Sequence, residues 1–411
     1  MKYHAGNALR SDLVLLPLDD EVVAFSEAAQ GIIGLNAAAA GIVDALRAGK
    51  PAAEIVAGLA AQGAEGSQQA QEWLDGVLEV LGSGGFLADG PIPHRALGGP
   101  TDGQGLADIP PDMPPHRRFN AAVEQRYRLV DTCALIRFRD RAQARMVNSV
   151  VGHLATDDDI TPTLVMDIWA TRHDNHVQSY IYCDGVPLGY APRLSLLSPI
   201  VKGLLWRSAI NAHSFLFYIH AGVIGAANGC VLFPAAPGSG KSSLTAALTA
   251  SGFRYLSDEV ALVETPEFDV RPMPLAFCAK RSGWDVMARY FPGILDVPTH
   301  RRLDNKDVRY IAPPPHSVQH ASERVSHIIF PQYNADAETR LVPVARADAL
   351  RRLMDECLAL RTRLNRDHVQ NLIDTLSRID CYALTFSSLD EAIALVSDAV
   401  GAPNADAINH T

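Results

Sequence analysis

The sequence predicts an α/β (α+β) protein in two units: a large mixed-sheet domain, preceded by a small winged-helix-like one. Three observations predict this. First, an apolar run from Val231 to Phe233 passes through small residues into a helix-competent segment, LTAALTA, which reads as strand, loop and helix in succession. Second, residues 1–88 carry two short apolar runs and then apolar residues at helical spacing. Third, residues 89–115 hold seven prolines and five glycines, so 12 of 27 positions break regular structure and mark a linker. The expected boundaries are 1–88, a linker over 89–118, a main domain over 119–402 and a tail over 403–411.

In the first unit, Val14–Leu16 and Val22–Phe25 flank the turn candidate Leu18-Asp19-Asp20, which predicts a β-hairpin. Asn36 is placed to cap a helix carrying Ile42, Val43 and Leu46. Pro51 suits the first turn of a second helix with Ile55, Val56 and Leu59. A third helix carries Trp73, Leu74, Val77, Leu78 and Leu81, closed by Gly82, Gly84 and Gly85. The breaker-rich stretch that follows reads as a tether, which would let this unit move relative to the rest.

From residue 120, Tyr127–Val130, Leu135–Phe138, Leu164–Trp169 and Tyr180–Cys183 read as strands, the last ending at Asp184-Gly185. One helix is expected, over 194–212. Asn228-Gly229 marks a hairpin between the apolar strands that precede the loop.

Composition narrows the partners. The 411 residues are 48% hydrophobic, enough for two or three domains with real cores. Lys and Arg number 36 against 46 Asp and Glu, a net charge of −10 with no basic block, which argues against nucleic acid. Six widely spaced cysteines without a CxxC pair read as reduced thiols. The N-terminus lacks the apolar core of a signal peptide. The longest uncharged stretch, Ala221–Gly240, is too broken by Asn, Pro, Gly and Ser to span a membrane. A cytoplasmic protein with no membrane partner is the expectation.

The loop reads Ala235, Ala236, Pro237, Gly238, Ser239, Gly240, Lys241, Ser242, Ser243. In a strand-loop-helix context such a loop presents backbone N–H groups to one point, where the helix dipole favours an anion. Pro237 to Ser243 are therefore candidates for holding the phosphates of ATP, with Lys241 on the β/γ-phosphates and Ser242 on Mg²⁺. The full pattern has Gly where this chain has Ala235, a cost wherever the backbone needs positive φ. An ordinary glycine-rich turn is the competing interpretation. In the next strand, FRYLSDEVALV, Asp258 and Glu259 interrupt the apolar run. Two acids beside a nucleotide loop would supply a base for an acceptor hydroxyl and a metal partner; a surface acid pair is the alternative.

The block from His220 through this loop to Asp258 and Glu259 resembles the catalytic domain of HPr kinase/phosphorylase and its relatives, of the phosphoenolpyruvate-carboxykinase-like type. That family has a His opening the strand before the loop, a Gly-Lys-Ser loop and an acidic pair in the next strand. The resemblance continues through PLAFCAKRSGWDVMARYFP, where Lys280 or Arg281, with Gly283, stands at the family's basic position. It implies that Asp258 takes the hydroxyl proton, that Ser242, Asp258 and Glu259 position Mg²⁺, that His220 orients the acid, and that Lys280 or Arg281 neutralises the transferred group. Higher assemblies in the family make a homo-oligomer an expectation. Two features depart from it: Glu259 replaces the usual second Asp, and the family's separate N-terminal regulatory domain has no counterpart. In its place LNAAAAGIVDAL, PAAEIVAGLA and GGFL resemble PqqD-like domains, which bind the leader of a ribosomally made peptide by β-addition.

Together these imply an ATP-dependent Ser/Thr kinase acting on a peptide or small protein, with a ribosomally synthesised precursor recruited by the first unit. A small-molecule kinase and a non-catalytic nucleotide-binding carrier or chaperone remain the alternatives.

Overall fold

The protein has a mixed α/β architecture, seen in a computed structural model that describes residues 8–62, 65–90, 109–173, 176–213, 215–360 and 363–401. Strands β1 (Leu13–Leu18), β2 (Glu21–Ser26) and β3 (Gly31–Leu35) form an antiparallel sheet, followed by α1 (Ala37–Arg47), α2 (Ala52–Gln62) and α3 (Ser67–Ser83). The β1–β2 turn is the expected Asp19-Asp20, with Asp19 at φ 53°, a conformation Asp tolerates better than most residues. Asn36 caps α1 by accepting from the Ala39 N–H at 2.8 Å, as its position predicts. Leu74, Leu78 and Leu81 of α3 are buried while Trp73 is exposed. The third strand was not expected: its GIIGL offers two isoleucines between glycines, too little alternation to stand out.

The main domain opens with β4 (Val123–Leu129), β5 (Thr132–Phe138), α4 (Arg141–Val151), β6 (Ala155–Thr156), β7 (Leu164–His173), β8 (His176–Cys183), β9 (Val186–Ala191) and α5 (Leu194–Ala212). The strands make one sheet, ordered β6-β4-β5-β7-β8-β9, with α4 and α5 packed on it. Helix α5 lies where the sequence places it, but α4 falls between two expected strands, in a stretch where no helix is expected. Its signals are present: Asp140 accepts from the Ala142 N–H at 2.6 Å, and Ala144, Val147, Val150 and Val151 form a buried stripe.

There follow β10 (Phe217–Ile219), β11 (Ala221–Ala226), β12 (Gly229–Pro234), α6 (Lys241–Ala250), β13 (Arg254–Ser257), β14 (Ala261–Val263) and β15 (Asp269–Arg271). Strands β16 (Phe277–Lys280), β17 (His300–Arg301) and β18 (Asp307–Ile311) form a small sheet beside α7 (Trp284–Ala288). The chain ends through β19 (Glu323–Tyr333), β20 (Arg340–Pro343), α8 (Arg346–Asp355), β21 (Cys357–Leu360), α9 (Arg366–Leu376), β22 (Asp380–Phe386) and α10 (Leu389–Val400). Ten of these strands make one sheet in two arms that share the long β19. One arm runs β13-β11-β12-β19-β22-β20, with β12, β19 and β22 parallel; the other runs β19-β15-β14-β10-β21. Strand β12 is covered on both faces. Val231 and Phe233 meet α6 and α10, while Cys230 and Leu232 face the opposite core. This explains a continuous apolar run in place of alternation.

That opposite core includes the first unit. Leu16, Leu18, Val23 and Phe25 of β1–β2 are buried with Leu350 and Leu353 of α8 and Leu372 of α9, while the other face of the small sheet packs on α1–α3. Gln30 adds two bonds to Leu364, at 2.9 and 2.6 Å. The expected freedom of the first unit is therefore corrected, since separating it would expose an extensive apolar face. Within the linker, 91–108 lie outside the described residues, as do 1–7 and the tail 403–411. The linker's end is pinned: His116 Nε2 lies 2.6 Å from Asp167, and the Tyr182 hydroxyl donates to the Pro114 carbonyl. Among the described residues, no helix is long and apolar enough to cross a membrane.

Candidate active site

The site gathers where the chain passes between the two arms of the large sheet. It crosses once at His220, between β10 and β11, and again at Asp258-Glu259, between β13 and β14. The loop after β12 opens beside both crossings. Its left-handed positions are Gly238 (φ 100°) and Gly240 (φ 87°). A Cβ on Gly240 would also stand 2.7 Å from the Phe386 ring, so this glycine is required twice over. Ala235 is not among the left-handed residues, so the cost expected of alanine there does not arise. Its carbonyl instead accepts from Lys241 Nζ at 3.0 Å.

Lys241 begins α6, and its side chain is buried along β11. Gly222 makes this passage possible. A Cβ there would lie 2.2 Å from Thr245 Oγ1 and 3.3 Å from Lys241 Cγ. Lys241 Nζ reaches His220 Nε2 at 2.7 Å. Burial lowers the ammonium to about 8, and burial together with the Lys241 charge lowers His220 to about 4. At neutral pH a neutral imidazole therefore faces a charged lysine.

Asp258 is 1% exposed. Burial, then the adjacent Glu259 charge, raise it to about 6, against the opposing pull of Lys241 and the Ser242 hydroxyl. The Cys278 N–H lies 3.5 Å from Oδ2, while Oδ1 is buried with no hydrogen-bond partner among the described residues. Glu259 is held below the usual carboxylate range. Burial opposes this, but the buried Lys202 of α5, 2.6 Å away, prevails, aided by Arg302.

The two basic candidates separate. The charge of Lys280, at the end of β16, is felt at both His220 and Lys241. Arg281 is 76% exposed, 3.7 Å from Asp307 and stacked over Trp284, so the structure does not bring it to the loop. Gly283 lies against Ser243, where an added Cβ would be 3.9 Å from Oγ. Pro237 and Gly238 are exposed, Ser242 and Ser243 half-buried, and Ser239 buried with its hydroxyl unpartnered among the described residues.

Among the described residues, no three His, Cys, Asp or Glu side chains group to hold a metal ion. The oxygens of Ser242 and Asp258, including the orphaned Oδ1, still fit Mg²⁺, which takes one or two protein oxygens and completes its shell with phosphate and water. Three participants escaped sequence reasoning. Lys202 had a signal, as the single charge within LLSPIVKGLLW, whereas Gly222 and Glu356 had none. Glu356 Oε2 lies 3.4 Å from His220 Nδ1. Comparison with protein-family models and with curated proteins finds no match for this chain.

Proposed function

We propose that the protein is an ATP-dependent kinase of the HPr kinase-like P-loop type, transferring the γ-phosphoryl group to a hydroxyl of a peptide or small protein. The observation that carries this reading is the opposition of Lys241 and Asp258 at the loop mouth, close enough for each to shift the other's protonation. On this reading Lys241 leaves the Ala235 carbonyl for the β/γ-phosphates, and the N-terminal amides of α6 receive the rest of the polyphosphate. Asp258, ionised at neutral pH, takes the proton of the acceptor hydroxyl as its oxygen bonds to phosphorus and the bond to the ADP oxygen breaks. Lys280 offsets charge on the group in transit. Ser242 and Asp258, with Glu259 once released from Lys202, would hold Mg²⁺, which supplies further charge neutralisation. The PqqD-like first unit would present a leader-bearing precursor, raising the local concentration of the acceptor residue.

The non-catalytic carrier reading draws on one observation, the engagement of Glu259 by Lys202. Radiolabel decides between them. With γ-labelled ATP and Mg²⁺, label should appear on peptides encoded beside this chain's gene and not with Lys241→Met. Bound nucleotide with label on no acceptor would favour the carrier. ATP consumption driven by free hydroxylated metabolites would favour a small-molecule kinase.

A further inference from the structure

Strands β10 and β21 pair with an irregularity: Tyr218 stands opposite Ala359 but Ile219 opposite Cys357, so Leu358 is an extra residue. Such bulges re-aim the chain beside them. Here the bulge brings Glu356 to His220, whose backbone N–H donates to the Glu356 carbonyl at 2.9 Å while Oε2 stands 3.4 Å from Nδ1. Unliganded sites often hold such contacts long.

Glu356 is poorly placed for stability. It caps the C-terminus of α8, where the helix dipole disfavours an anion. Burial raises its pKa, Asp355 adds to the effect, and Lys241 opposes it. The other end of the imidazole fixes what the acid does. The Lys241 ammonium has only donors, so Nε2 at 2.7 Å must accept, and the single proton of a neutral ring sits on Nδ1, facing Glu356.

We infer that Glu356 is a positioning residue that holds the His220 proton on Nδ1, so that Nε2 presents a lone pair to Lys241. Without it, the other ring tautomer would aim a donor at a donor, and Lys241 would lose the acceptor that keeps it at the loop mouth. The inference rests on the reading of Lys241 as the phosphate grip, and goes beyond it by naming what sets the grip.

The test compares Glu356→Met, which removes the acceptor, with Glu356→Gln, which keeps one. Heteronuclear NMR of the ring nitrogens in nucleotide-free full-length protein, assigned by loss of the signal in His220→Gln, reports the tautomer. The parent and Glu356→Gln should be protonated at Nδ1, and Glu356→Met should shift toward Nε2–H. The kcat/KM for ATP should fall on the order of tenfold in Glu356→Met, the lower end of what is lost when the partner orienting a metal-bound histidine is removed, and stay close to the parent in Glu356→Gln. Glu356→Met should unfold at or above the parent's temperature. An unchanged Nδ1–H signal in Glu356→Met, or an Nε2–H signal in the parent, overturns the inference. The ring spectrum needs neither nucleotide nor acceptor, so a parent that transfers no phosphoryl group would overturn the kinase reading and leave the tautomer assignment standing.

Discussion

Replacing Asp258 with Asn should raise stability and sharply slow transfer, with a pH dependence that identifies the cause. The folded carboxyl titrates at about 6 against 3.8 for an ordinary Asp, so the folded state binds the proton more tightly than the unfolded one. A raised folded pKa contributes stability below the unfolded value and loses it as pH climbs through the folded value. The rise from 3.8 to about 6 corresponds to roughly 3 kcal/mol at about 1.4 kcal/mol per pH unit. No solvent discount applies, because the residue is 1% exposed. Asn is nearly isosteric and carries no charge. In chelator-containing buffer, urea denaturation should therefore show the variant close to the parent at about pH 4 and more stable by roughly 3 kcal/mol at about pH 8. Phosphoryl transfer at neutral pH should drop on the order of a hundredfold to ten-thousandfold, the usual contribution of a positioned base. A variant less stable than the parent at neutral pH would refute the reasoning, because it would make Asp258 an ordinary paired carboxylate. A stable variant that keeps transferring label would remove it from the chemistry.

Five further outcomes follow from the geometry. Gly222→Ala should destabilise by about 1–3 kcal/mol in urea titrations, since the new methyl meets buried Thr245 Oγ1, and should weaken nucleotide binding by displacing Lys241. Gly238→Ala meets no atom within 4 Å, so calorimetry should show only the left-handed strain of about 1–2 kcal/mol, whereas Ala235→Gly should stay within about 1 kcal/mol of the parent and bind nucleotide no tighter. Phe25→Ala, in the core shared by the first unit and the main domain, should cost about 3–5 kcal/mol in equilibrium unfolding, and residues 119–401 expressed alone should aggregate, measured by light scattering.

How much was legible in the sequence depended on how local the cause was. The Asp19-Asp20 turn, the Asn36 cap and helix α5 are set by residues that touch their own neighbours in the chain, and each lies where local pattern placed it. The loop was legible for the same reason, except at Ala235, where the motif demanded a glycine that the actual backbone does not need. Glu356 reaches His220 across 136 positions because of a one-residue bulge, and no spacing rule foresees that. Gly222 is one of 30 glycines, and only the approach of α6 distinguishes it. The docking of the first unit was misjudged because a breaker-rich linker speaks to the chain between two bodies and not to the faces they share. The two apolar faces of β1–β3 were the overlooked sign.

Shared burial also changes how recruitment would work. Were the first unit tethered and free, capture of a peptide would raise the acceptor's concentration only by the linker's statistics. Docked on α8 and α9, it holds a fixed direction toward the site, because Glu356 ends the helix on which β2 and β3 rest. Any peptide bound there would start from one position and reach Asp258 only if its own length spans the gap. Removing the whole unit is then the wrong probe, since it strips the cover from α8 and disturbs Glu356 and His220 even if no peptide is ever bound. A surface substitution on β1–β3 that leaves unfolding unchanged separates the two. It should raise the KM of a leader-bearing acceptor and leave that of a leaderless one alone, and equal losses on both would rule recruitment out.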